Sequence, residues 1–213
     1  MSNPLNIYSL MEAARVPQSV KPETFGPWTI KRISMDEIPE GRKRSEFLIT
    51  VGFMNYTLLY HTSEAVMHIS ELGEVVMEDS VQELRRHLPI WLTARGRVLV
   101  TGMGLGCVIR GLQANPRVEH ITVVEIDQRI LDRIGPEFSA DARIRLIHGD
   151  ARTVDLGQEK FDYAWHDLWT EGKVSLQVIH AELMAKFKHN ATRQGAWGLP
   201  RFMRRLLPEW LVR

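Results

Sequence analysis

Side chains able to do chemistry recur in this chain at the polar end of short apolar runs. Val98-Leu99-Val100 stops at Gly102-Met103-Gly104-Leu105-Gly106, three glycines spaced two apart, and Ile121-Thr122-Val123-Val124 stops at Glu125-Ile126-Asp127. Ile144-Arg145-Leu146-Ile147 stops at His148-Gly149-Asp150-Ala151, and Phe161 to Trp165 stops at His166-Asp167-Leu168-Trp169. Glycines let a ligand approach the backbone and accept a positive φ. A carboxylate accepts hydrogen bonds from hydroxyl or amino groups, and beside a nucleophile it takes a proton, a task that imidazole also performs near neutral pH.

The elements that must position these groups follow from periodicity. After the glycines, Val108, Ile109 and Leu112 stand at helical spacing, so the stretch reads as strand, glycine loop and helix, with helix amides facing whatever lies above the strand. Such a turn suits a nucleoside cofactor at the carboxyl end of a parallel strand. A dinucleotide fingerprint needs glycine at the first, third and sixth loop positions, and the sixth from Gly102 is Cys107, so NAD is disfavoured. A helix carrying Ile130, Leu131 and Ile134 follows the second strand, with Asp127 as its cap. Another spans residues 173–188, and Gln194-Gly195-Ala196-Trp197-Gly198 reads as a short fifth strand. Alternating strands and helices predict a doubly wound parallel sheet, whose carboxyl rim gathers all four polar ends into one crevice.

Upstream, short β-rich runs predict an antiparallel subdomain: Trp28 to Ile33, Phe47 to Val51, Asn55 to Tyr60, Ala65 to Ile69 and Glu74 to Met77. A helix over residues 78–91 follows, with Val81, Leu84, Leu88 and Trp91 on one face and Ser80 or Asp79 as N-cap. Residues 1–25 show little periodicity and three prolines, and read as a mobile segment. The expected division is thus 1–25, a β-rich subdomain over 26–78, and a Rossmann-like domain over 79–213.

The loop Gly102-Met103-Gly104-Leu105-Gly106, the run Val123-Val124-Glu125-Ile126-Asp127 and the turn Gly149-Asp150-Ala151 resemble, in order, the cofactor motifs of class I S-adenosylmethionine-dependent methyltransferases. The resemblance covers residues 97–169. It implies that Gly102, Gly104 and Gly106 admit the amino-acid portion of S-adenosylmethionine, that Glu125 holds the ribose, and that Asp150 with the Ala151 amide fixes adenine. The spermidine-synthase-like branch is the nearer likeness, because Val-Glu-Ile-Asp closes the second strand and a β-rich subdomain and helix precede the loop. Enzymes of that branch place an aspartate after the fourth strand to accept the proton of an attacking amine, and Asp167 stands there. They also carry an acid in the loop, where this chain has Leu105, and a tyrosine-containing segment on the preceding helix, where it has Gln82-Glu83-Leu84-Arg85-Arg86-His87.

Methyl or aminopropyl transfer is an in-line displacement beside a sulfonium, so the protein positions the nucleophile and removes its proton. Asp167 and His166 are the candidates for that step, and Trp169 is a candidate wall for a planar substrate or a cover for adenine. The leading expectation is a methyltransferase acting on a small molecule. The alternatives are an aminopropyltransferase using decarboxylated S-adenosylmethionine, and a nucleoside-binding module without catalysis.

Composition bounds these readings. The chain has 213 residues, 44% hydrophobic and 25% charged, which describes a soluble globular protein with a core. A formal net charge of +1 does not mark a nucleic-acid binder. The one basic concentration is a C-terminal amphipathic stretch, Arg201, Arg204 and Arg205 opposite Phe202, Met203, Leu206 and Leu207, open to a phosphate-bearing or membrane partner. One cysteine, Cys107, makes no internal disulfide, and no secretory h-region or transmembrane-length run occurs, so a cytoplasmic setting is expected. The histidines lack metal-ligand spacing, and no metal is expected. Exposed strand edges in the β-rich subdomain are compatible with a homodimer, and the sheet is expected to end early at its C-terminus.

Overall fold

A computed structural model describes residues 7–34, 55–61, 74–168 and 176–198. Within the stretch read as aperiodic, Ile7–Ala14 forms helix α1, which buries Leu10, Met11 and Ala14. Those residues keep the helical period over only two turns, too short a window to stand out among flanking prolines.

An antiparallel sheet follows, with β1 (Glu23–Phe25), β2 (Trp28–Ser34), β3 (Asn55–His61) and β4 (Glu74–Glu78) in that spatial order. The runs Phe47 to Val51 and Ala65 to Ile69 lie outside the described residues. Trp28, Ile30 and Met77 join the same buried cluster as the helices of the larger domain, so the small sheet is docked on it. Trp28 Nε1 donates to Asp127 Oδ2 at 2.8 Å, and Arg133 pairs with Glu23.

Helix α2 (Val81–Thr93) starts where Ser80 Oγ accepts from the Glu83 amide, an N-cap made by the expected residue. Its buried face is the expected one at Leu84, Leu88 and Trp91, with Ile90 and one polar residue added. Leu84, Ile90 and Trp91 are buried and Leu88 is partly buried, while the interior position one turn before Trp91 is taken by His87.

The larger sheet alternates with helices: β5 (Gly96–Thr101), α3 (Cys107–Gln113), β6 (Val118–Glu125), α4 (Gln128–Ile134), β7 (Ile144–His148), β8 (Phe161–His166), α5 (Leu176–Lys186) and β9 (Ala191–Ala196). All pairings are parallel and the order is β7-β6-β5-β8-β9. The fifth strand thus begins three residues before the expected one. The chain winds outward from β5 in both directions, which opens a crevice above β5 at the carboxyl rim.

Alternation along β5 separates two cores. Val98 and Val100 pack with α1, α2, α3 and α4, whereas Leu99 packs with Phe161, Ile179, Leu183 and Phe187 under α5. Each fully buried aliphatic side chain contributes about 2 kcal/mol, and a one-residue slip would exchange the two faces. The register is therefore fixed, and with it the level of the strand ends: Thr101 pairs with Val124 and His166, Glu125 with His148, and His166 with Ala196. The architecture is a doubly wound, Rossmann-like parallel sheet with a small antiparallel sheet at its N-terminal side. No helix among the described residues is long and apolar enough to cross a membrane.

Candidate active site

The glycine loop leaves β5 with Gly102, Gly104 and Gly106 all at positive φ, 90°, 49° and 79°. At Gly102 the constraint is also steric, since a Cβ there would lie 1.9 Å from the carbonyl oxygen of Asp167. The missing side chain lets the ends of β5 and β8 close on each other. At Gly104 the space is taken by Met77 of the small sheet, whose Sδ accepts the Leu105 amide at 3.0 Å. The loop is thus clamped from both subdomains. Cys107, buried at the start of α3, has its thiol pushed up by burial and is inert packing.

Glu125 closes β6 almost wholly buried. Its Oε2 accepts the Met103 amide at 2.7 Å and its Oε1 the Asp127 amide at 2.9 Å, so one carboxyl ties the loop to the neighbouring strand. Burial raises its pKa, and the two amides pull it back. Asp127 caps α4 by accepting from the Arg129 amide, and the Arg129 side chain with Trp28 holds its pKa at about 2. Between these acids Ile126 stands exposed, with its carbonyl against His148 Nε2 at 3.0 Å.

Asp150 follows β7 and is gripped by Arg152 through Nε and Nη2, with Nη2 2.8 Å from Oδ2. That guanidinium holds the carboxyl below its ordinary pKa. Ala151 is buried and gives its carbonyl to Lys186 Nζ at 2.9 Å, a brace from α5 that also reaches the Val154 carbonyl.

His166, at the end of β8, is wholly buried and stacks on Phe187 at 5.8 Å. Gln194 donates through Nε2 to the Met184 carbonyl, so its Oε1 accepts from His166 Nε2–H at 3.0 Å. His166 Nδ1 is then an acceptor and takes the Thr101 hydroxyl at 3.0 Å. Burial lowers its pKa to about 4. Both nitrogens are thus spent on joining β5, β8 and β9.

Asp167 follows with a side chain nine-tenths buried, and among the described residues no group donates to its carboxyl. Burial and the nearby charges of Glu83 and Glu125 raise its pKa well above the usual range. His87 Nε2 lies 3.8 Å from its Oδ2. Glu83, also on α2, accepts from Trp197 Nε1 and from Arg86 Nη1, and burial raises its pKa. The parallel register brings Gly102, Glu125, Asp150 and Asp167 to one rim, whereas Trp169 and the basic stretch around Arg201, Arg204 and Arg205 lie outside the described residues.

Sequence reasoning missed Glu83, His87, Met77, Arg152 and Lys186. A signal existed for one of them: His87 stands three residues after Leu84 and four before Trp91, a polar residue inside an apolar stripe. The others act through contacts distant in sequence.

No family model matches the chain. Its sequence is 33% identical over 141 residues to a polyamine aminopropyltransferase of Pseudomonas syringae pv. tomato, covering 62% of this chain and 48% of that protein. It is 32% identical over 107 residues to a polyamine aminopropyltransferase of Agathobacter rectalis, covering 45% of this chain and 38% of that protein. The chain therefore spans less than half the length of either curated relative. The solved structure of CalS10, an amino pentose methyltransferase from Micromonospora echinaspora with S-adenosylmethionine bound, is 23% identical with a TM-score of 0.36, covering 56% of this chain and 48% of that one. With its parallel sheet, glycine loop and Val-Glu-Ile-Asp strand end, this chain is similar to the spermidine-synthase-like branch of the class I S-adenosylmethionine-dependent methyltransferase superfamily.

Proposed function

We propose that this chain transfers a carbon group from S-adenosylmethionine to a small-molecule acceptor, a methyl group in the leading reading. The observation that carries it is the level rim, where a positive-φ glycine loop, a part-satisfied glutamate and a donor-free buried aspartate stand at adjacent strand ends. Glu125 spends two acceptor positions on amides and keeps about two more, which suits the vicinal hydroxyls of ribose. Asp150 and the Ala151 amide would read adenine, and exposed Ile126 would supply an apolar wall. The backbone of the positive-φ glycine loop would meet the amino-acid portion.

When bound, the sulfonium supplies an electrophilic carbon whose bond to sulfur breaks as the acceptor's new bond forms. Asp167 takes the acceptor's proton, because its raised pKa makes it a stronger base than an exposed carboxylate. His166 is withdrawn from that role by its two internal hydrogen bonds and instead fixes the backbone from which Asp167 projects. Aminopropyl transfer is the second reading, favoured by the likeness to polyamine aminopropyltransferases and by the acids Glu83 and Asp167 side by side.

Calorimetric titration with S-adenosylmethionine, its decarboxylated form and S-adenosylhomocysteine, repeated on Glu125→Ala, tests the proposal. Micromolar binding, about 8 kcal/mol, lost in the variant is the expected result. Preference for the decarboxylated form selects aminopropyl transfer. Binding of none of the three overturns the cofactor assignment.

A further inference from the structure

Helix α2 sends an imidazole into the interior. His87 has no exposed surface, its ring lies 5.5 Å from Trp91 and 6.2 Å from Trp165, and among the described residues neither of its nitrogens has a hydrogen-bond partner. Leaving a buried polar group unsatisfied is unfavourable, and an aliphatic side chain would fill the same stripe without that cost. The ring is aimed at acids: Nε2 lies 3.8 Å from Asp167 Oδ2 and 4.0 Å from Glu83 Oε1.

Three observations decide what the imidazole does. Burial and the Arg86 charge lower its pKa to about 3, so it is neutral and carries one proton. Carboxyl oxygens face Nε2, and no described acceptor faces Nδ1, so the proton belongs on Nε2. Of the two acids, Glu83 already accepts on both oxygens, from Trp197 and Arg86, whereas among the described residues no group donates to Asp167. At 3.8 Å the pair stands beyond hydrogen-bond length, so a hydrogen bond between them requires the Asp167 carboxyl to turn toward Nε2.

We propose that His87 is a positioning residue for Asp167, donating Nε2–H to Oδ2 and so holding the carboxyl with Oδ1 free for the acceptor's proton. The assignment rests on the reading of Asp167 as proton acceptor. It adds a role for the helix before the glycine loop, which acts through Asp167 and touches neither cofactor nor acceptor. The charged and titratable groups around the pair are Glu83 and Arg86 on α2 and Glu125 at the end of β6.

The test is nuclear magnetic resonance on ligand-free protein labelled in histidine and aspartate, in the unaltered chain and in Asp167→Asn, His87→Phe and His87→Gln. The unaltered chain should show His87 neutral with its proton on Nε2 from pH 8 to 5, and Asp167→Asn should shift that resonance. His87→Phe removes the donor and should raise the Asp167 titration midpoint by about 1 pH unit, a tenfold change in proton affinity. His87→Gln, which restores an N–H donor, should return it most of the way. A proton on Nδ1, or an Asp167 midpoint equal in His87→Phe and the unaltered chain, overturns the proposal. If His87→Phe does not fold, the tautomer in the unaltered chain decides. No arm requires cofactor or turnover, so failure of the transferase reading appears separately in the calorimetry.

Discussion

The two halves of the rim treat their acids in opposite ways. On the β6–β7 side Asp127 and Asp150 are each held by an arginine, and Glu125 by two amides. On the β8 side Asp167 has no donor among the described residues and its neighbour His87 has no partner. Arginine and amide donors stabilise the ionised form and fix its direction, which is what hydrogen-bond recognition of a ligand needs. Burial beside other acids raises the proton affinity of the carboxyl, which suits the proposed role of Asp167 in taking the acceptor's proton. In the proposed reading, one sheet edge thus separates holding from proton transfer.

Asp167→Asn should break the β8 half alone. Turnover, followed as release of the thioether nucleoside, should fall 10²- to 10⁴-fold, the usual range for a lost general base, while calorimetric affinity for S-adenosylmethionine stays within a factor of about three. Stability should respond in the opposite sense. The raised pKa means the folded state holds a proton that the unfolded chain releases above the ordinary aspartate range, so ionisation costs stability as pH rises. The variant should therefore gain on the unaltered chain in urea denaturation as pH rises above the ordinary aspartate range.

Gly102→Ala tests whether the halves must touch. At φ 90° a side chain is strained, and its Cβ would meet the Asp167 carbonyl. A loss of about 3 kcal/mol or more in denaturant midpoint experiments is expected, with β5 and β8 forced apart. A tolerated alanine would show that the rim is looser than its register implies.

His166 provides a test by pH alone. Its folded pKa of about 4 lies below the ordinary 6.5, so the unfolded state binds the proton first as pH falls. Its contribution is present above pH 6.5 and is lost progressively down to about pH 4, of order 3 kcal/mol. His166→Asn should make that acid limb shallower, with the remainder carried by His87 and His180, whose pKa values burial also lowers. A limb of unchanged steepness would remove His166 from the tie between β5, β8 and β9.

Much of this was legible from local pattern. The runs ending at Thr101, Glu125, His148 and His166 are strands because short stretches dominated by apolar and β-branched or aromatic residues, each bounded by polar or glycine positions, suit a sheet covered on both faces. Ser80 and Asp127 cap helices because a short acceptor before an apolar period has few other uses. What stayed hidden is what distant elements do to one another. Three glycines spaced two apart are visible, but that Gly102 yields to the Asp167 carbonyl and Gly104 to the Met77 sulfur is a property of the packed fold. His166 reads in sequence as a proton acceptor because its type and place fit. Only the convergence of Thr101 and Gln194 on its two nitrogens shows that it is spent.

The smallest expected effect discriminates the ligand role of Asp150 from a structural one. Its carboxylate is shared with Arg152, whose side chain is largely exposed, so the ion pair itself contributes no more than about 1 kcal/mol to stability. If Asp150 only braces the turn after β7, Asp150→Asn and Arg152→Ala remove the same brace and should weaken S-adenosylmethionine binding equally. If Asp150 accepts from the adenine amino group, Arg152→Ala frees the carboxylate and should leave affinity unchanged or raised. Asp150→Asn keeps a carbonyl acceptor but loses the charge, and should then weaken affinity about fivefold, or about 1 kcal/mol. We expect the second pattern. The Lys186 contacts to Ala151 and Val154 hold the turn from behind without Arg152, which leaves the guanidinium free to be displaced when a neutral donor takes its place on the carboxylate.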